Sequence, residues 1–245
     1  METRKEQIHE EEQPVMGAPE RRLFHSEVRA KKSDDGVMEI GGYGALFGSY
    51  TRIWWFAEVI EPGFFDGIKD DRAATLFNHD PNQVLGRIKN KTMEWKADEK
   101  GAEYLSRLPA HRADVYELIR DGYVYESSFG FTVAEEEWAE VSPSELKGKL
   151  PDTDIEQMTY GGKIAIRRLV KGGELFDFSP VTFAAYEGTT TDTRIAQRSF
   201  ETWKRVSGGD LSLLPYRRMK QDSEPKQQDN QAITARLTGL LALNQ

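Results

Sequence analysis

Apolar and polar positions alternate over short runs along most of the chain, and in only a few stretches does the spacing widen to that of a helix. The run from Leu23 to Arg29 and the run Val37-Met38-Glu39-Ile40 flank Ser33-Asp34-Asp35-Gly36, which predicts a β-hairpin. Residues 40–47 continue as a glycine-rich strand, and residues 54–60 form another that stops at Glu61-Pro62-Gly63. Residues 64–68 fit one helical turn. Strands over 72–78 and 84–88 are separated by Asp80-Pro81-Asn82, and a second hairpin joins 92–97 to 102–108 through Asp98-Glu99-Lys100-Gly101. Residues 110–121 read as a helix with Val115, Tyr116, Leu118 and Ile119 on its apolar face and Gly122 at its end. Strands at 126–133 and 164–170 follow, then a turn at Lys171-Gly172-Gly173 and a return over 174–178. Residues 193–206 are amphipathic, with Ile195, Phe200 and Trp203 on one side.

The flanks lack this patterning. Residues 1–21 are charged and polar and are expected as a disordered lead-in. Residues 135–163 are acidic, carry Pro and Gly, and read as a long polar insertion. Residues 207–245 read as a linker and tail with a short apolar helix over 232–243. The body is therefore residues 22–206, a β-rich (α+β) domain whose many short strands predict a closed β-barrel flanked by helices.

Composition narrows the partners. A length of 245 residues suits one sizeable domain with tails. The net charge of -8 argues against a general nucleic-acid surface, which needs clustered Lys and Arg. The chain has no cysteine, which excludes disulfides, a cysteine nucleophile and thiolate metal sites, and fits a reducing cytoplasm. No apolar run approaches the roughly 18 residues of a membrane span, and the first residues lack the apolar core of a secretory signal.

Candidate chemistry centres on Glu126-Ser127-Ser128-Phe129-Gly130-Phe131. Adjacent serines on a strand point to opposite faces. Ser127 shares its face with Phe129 and Phe131, so if that aromatic face is core, Ser128 faces the groove and is the candidate nucleophile. Serine needs a base within hydrogen-bond reach. His79, between a strand end and Asp80-Pro81, is the candidate, and a loop histidine bonded to Asp80 is the plain alternative. Asp177, between Phe176 and Phe178, is the candidate orienting acid, with Glu174 and Glu126 as competitors. A metal hydrolase built on His79, Asp80 and His111 lacks ligand spacing, and nothing supports a glycosidase pairing Glu126 with Asp177. Neither a cofactor nor a metal is expected. The order histidine, serine, acid matches none of the common serine-hydrolase groups, and there is no G-x-S-x-G elbow.

Taken together, several blocks resemble a known family. They are Gly42-Tyr43-Gly44-Ala45-Leu46-Phe47, Ile60-Glu61-Pro62-Gly63-Phe64-Phe65, Phe77-Asn78-His79-Asp80 with Leu85-Gly86-Arg87, Ser128-Phe129-Gly130-Phe131, and Leu175-Phe176-Asp177-Phe178-Ser179-Pro180-Val181-Thr182. The chain resembles the prohead (capsid maturation) proteases of tailed bacteriophages. The resemblance implies a fold like that of the herpesvirus assemblin proteases and serine endopeptidase activity in capsid assembly, in the host cytoplasm inside the assembling prohead. It implies His79, Ser128 and Asp177 as catalytic residues, although the family usually has Glu where this chain has Asp177. A second departure is Ala184-Ala185, where Pro-Ala is common. The implied substrates are the major capsid protein or a scaffolding segment, and the protease itself; self-association is a further implication. An assembly module of the same fold without activity is the alternative.

Overall fold

In a computed structural model, residues 19–182 and 190–207 are described. The lead-in up to residue 18, Ala184-Ala185, and the tail with its expected helix over 232–243 lie outside the described residues. Among the described residues eleven strands run in order: β1 (Glu20–Glu27), β2 (Arg29–Lys32), β3 (Met38–Leu46), β4 (Thr51–Ile53), β5 (Phe56–Ile60), β6 (Ala74–Leu76), β7 (Val84–Arg87), β8 (Met93–Ala97), β9 (Gly101–Arg107), β10 (Glu126–Val141) and β11 (Ile164–Val181). The α-helices of the described residues are α1 (Ala113–Arg120), α2 (Asp152–Met158) and α3 (Thr190–Val206). The β-rich class is as expected. The closed barrel is not found: among the described residues, strand pairing gives a seven-stranded sheet ordered β1-β10-β11-β5-β4, with β6 between β11 and β7, and a four-stranded sheet ordered β2-β3-β9-β8.

The two sheets share one apolar core. Phe129 and Phe131 stack at 4.3 Å between centroids, and Phe178 stacks on Tyr104 at 5.2 Å. Phe64 and Phe65 close the same cluster beside α1, which buries Val115, Tyr116 and Ile119 but leaves Leu118 at 37% exposure. The helical stretch that alternation of spacing predicts at 110–121 thus exists, opened by a 3-10 turn at Ala110–Arg112.

Three elements depart from the pattern reading. First, the hairpin around residues 33–36 is made by β2 and β3 alone, while β1 crosses to the other sheet and pairs with β10. Alternate residues of β1 carry the reason. Glu20 and Arg22 lie on one face of the strand and enter a buried ionic network. Arg22 binds Glu58 and sits 2.6 Å from Glu20, and Arg167 binds Glu20 at 2.7 and 2.9 Å, Glu58 at 3.1 Å, and Glu136. A charge at such depth is tolerable only when paired in this way. β1 thus opens at Glu20, the first residue of this network.

Second, β11 does not turn at Lys171-Gly172-Gly173 but continues through it. These glycines serve close packing: a Cβ on Gly172 would stand 2.6 Å from Ile68 Cδ1. Third, residues 135–163 are structured. β10 extends to Val141, a 3-10 turn at Pro143–Leu146 carries a capping box from Ser142 and Glu145, and α2 follows. Leu146, Ile155 and Met158 bury themselves on Ile164 and Ile166, enough apolar surface to fold an otherwise polar segment onto the sheet. On the other side, Phe200 of α3 packs into Trp55, Phe56 and Trp138, and Trp138 Nε1 donates to Ser199 Oγ at 2.8 Å.

Candidate active site

The site is built on three adjacent strands, β10, β11 and β6. β10 and β11 are antiparallel, with Ser128 opposite Ser179 and Gly130 opposite Asp177. Directly opposed residues share a face of the sheet, so these four positions form one patch. β6 runs parallel to β11 on its other side, with Ala74 paired to Asp177 and Thr75 to Phe178. The chain leaves β6 at Leu76 and turns sharply, with Asn78 and His79 both left-handed at φ 54° and 56°. That turn folds the imidazole back over β11.

The result is a continuous chain of hydrogen bonds. His79 Nδ1 is 2.6 Å from Asp177 Oδ1, and His79 Nε2 is 2.6 Å from Ser128 Oγ. With Asp177 ionised, Nδ1 carries the proton and donates it, which leaves the Nε2 lone pair facing the hydroxyl. The Ser128 hydroxyl has a second acceptor, the Arg22 carbonyl of β1 at 3.0 Å. Ser128 is 1% exposed, and the His79 and Asp177 side chains are 8% and 6% exposed. The low dielectric around them strengthens each of these contacts.

Strand parity puts the two serines on opposite faces of β10, both of them buried. Ser127 points into the core, where its Oγ meets the Tyr104 hydroxyl at 3.1 Å. Burial pushes the Tyr104 phenol up, the Ser127 hydrogen bond works against that, and the Asp177 charge adds to the rise. Tyr104 is thus held neutral. The competing assignments are separated as well. Glu174 lies further back along β11, its backbone N–H donating to Thr132 Oγ1 at 2.9 Å, and Glu126 opposes Val181 at the start of β10. Asp80 accepts the Asn82 N–H at 2.9 Å, a bond that holds its carboxyl below the usual range. His111 sits exposed in the 3-10 turn before α1. The set His79, Asp80 and His111 is therefore not assembled.

Two contributions escaped the sequence reading. Ser179 donates its hydroxyl to Asp177 Oδ1, the same oxygen that faces His79. Its position two residues from Asp177 on one strand puts it on the same face, so parity alone flags it. Asn78 is the second: its amide is tied to Thr182, the residue just past β11.

A β-rich domain with strand-borne hydroxyl and carboxylate joined by one imidazole has the arrangement of a serine–histidine–acid protein. A family model, that of the caudovirus prohead serine protease, matches residues 25–206. The chain belongs to the caudovirus prohead serine protease family. No curated protein matches the chain, and no solved structure does. Among the described residues no helix is long and apolar enough to cross a membrane.

Proposed function

We propose that the chain is a serine endopeptidase that cleaves capsid or scaffold protein, and itself, during prohead maturation, with Ser128 as nucleophile, His79 as general base and Asp177 as the acid that orients it. The observation that carries this reading is the His79 ring, 2.6 Å from Asp177 on one nitrogen and 2.6 Å from Ser128 on the other. Ser128 Oγ attacks the scissile carbonyl carbon as its proton passes to His79 Nε2, and the carbonyl electrons move onto the oxygen. Collapse of that intermediate expels the amine, which takes the proton from His79 and leaves an acyl-enzyme. Water, deprotonated by the same Nε2, releases the acid and restores the serine. Asp177 keeps the proton on Nδ1 throughout and stabilises the imidazolium that forms twice per cycle.

The second acceptor of Ser128 bears on readiness. While the hydroxyl donates to the Arg22 carbonyl its proton is directed away from the base; rotation toward Nε2 starts the transfer. The burial of Ser128 favours a second reading, an assembly module of the same fold without activity. Partners under either reading are the major capsid protein or its scaffolding segment and further copies of this chain, in the host cytoplasm within the assembling prohead.

Co-expression with the cognate major capsid protein, followed by intact mass, separates the two. Wild type should shorten the capsid protein or itself, and Ser128→Ala and His79→Ala should leave every mass intact. Unchanged masses in all three, with capsids still assembling, establish the assembly module instead.

A further inference from the structure

We propose that Asn78 is a positioning residue for His79, a polar clip that ties the histidine turn to the strand carrying its carboxylate. The inference rests on the peptidase reading above and extends it to a residue outside the hydrogen-bonded chain.

Two consecutive left-handed residues other than glycine are uncommon, and the surroundings must hold them there. Asn is among the few side chains that accept this conformation readily. Three hydrogen bonds of Asn78 supply the hold. Its backbone N–H donates to the Pro180 carbonyl at 3.0 Å. Its side-chain carbonyl accepts the Thr182 N–H at 2.8 Å, and its Nδ2 donates to Thr182 Oγ1 at 3.1 Å. The side-chain amide thereby continues the pairing of β6 with β11 past the point where the backbone turns away. Pro180 and Thr182 lie three and five residues beyond Asp177 on the same run of chain. The imidazole and its carboxylate partner are thus referred to one rigid strand from both ends.

Asn78 is exposed, so the amide adds little to the core and its effect falls on where His79 stands. A base must lie within hydrogen-bond reach of the proton it takes, and small displacements cost rate steeply. Loss of the clip lets the turn relax and moves Nε2 off Ser128 Oγ.

The test uses full-length protein and three versions: wild type, Asn78→Gly and Asn78→Asp. Glycine accepts the left-handed conformation without strain and retains the N–H that donates to Pro180, but it deletes the amide that holds the turn in place. Aspartate keeps an oxygen to accept the Thr182 N–H. Each is reacted with a fluorophosphonate that labels an activated serine, followed by intact mass, and is melted in parallel. Asn78→Gly should be folded at the assay temperature, with a maximal labelling rate about 10–100-fold below wild type and an unchanged half-saturating reagent concentration. Asn78→Asp should recover much of the loss. Wild-type labelling by Asn78→Gly overturns the clip, as does a loss accounted for by unfolding. If wild type itself neither labels nor cleaves, the peptidase reading falls. The clip is then decided by the downfield Nδ1–H resonance of His79: broadened or shifted in Asn78→Gly supports it, unchanged overturns it.

Discussion

Gly130 and Asp177 oppose each other across β10 and β11 so closely that a Cβ on residue 130 would stand 2.5 Å from Asp177 Oδ2. The missing side chain is what gives the carboxylate its place beside the imidazole. Gly130→Ala should therefore push Asp177 aside while the strand pairing holds. The expected result is a folded protein whose turnover falls by about 10–100-fold, measured as the rate of capsid-protein cleavage beside the melting temperature. Wild-type turnover would remove the steric argument.

Ser179 gives Asp177 Oδ1 its second donor. Ser179→Ala takes one donor from that buried oxygen beside His79, and a buried acceptor that loses a partner costs about 1–3 kcal/mol. We expect a lowered melting temperature and a roughly 10-fold lower maximal rate of serine labelling, because the carboxylate holds the imidazole less firmly. A variant that loses stability but labels at the wild-type rate would assign Ser179 to packing alone.

Asp177→Asn tests the tautomer. An amide NH2 facing Nδ1 favours the proton on Nε2, which then has no lone pair for Ser128. Cleavage should fall by about 10⁴-fold with the fold intact, read by intact mass over a long time course. A residual rate close to wild type would show that Asp177 does not orient the imidazole.

The network beneath β1 makes a pH prediction. Burial alone would raise the Glu20 carboxyl, but the charges and hydrogen bonds of Arg167 and Arg22 together outweigh it and hold the value below the ordinary 4.5. A depressed folded value means that ionised Glu20 stabilises the fold above the unfolded value and that this stability is lost as pH falls through the folded one. Melting temperature should drop as pH goes below about 4.5. Glu20→Gln should flatten that part of the slope and, by leaving Arg167 and Arg22 short of a partner, cost about 3–5 kcal/mol at neutral pH. Equal slopes in the two proteins would mean that Glu20 is not the group titrating.

Much of the site was legible because it depends on local periodicity. Parity along one strand separates Ser128 from Ser127, and the same rule brings Asp177 and Ser179 to one face. The hairpin of β8 and β9 and the helix α1 follow from turn residues and spacing within about ten positions. The folded elements within residues 135–163 were not legible, since a segment polar on average still buries Trp138, Leu146, Ile155 and Met158 when a sheet face is there to receive them.

By itself, then, the sequence determined which residues share a face, where the hairpin of β8 and β9 and the helix α1 lie, and through its blocks the family to which it belongs. Tertiary structure decided the rest: that β1 crosses to β10, that β11 runs unbroken through Gly172 and Gly173, and that β6 lies parallel beside Asp177 so that His79 folds back onto it. Side-chain alternation is a property of a strand alone and can be counted along the chain. Pairing between strands a hundred residues apart depends on buried charges, close glycine contacts and shared core, none of which has a period to read.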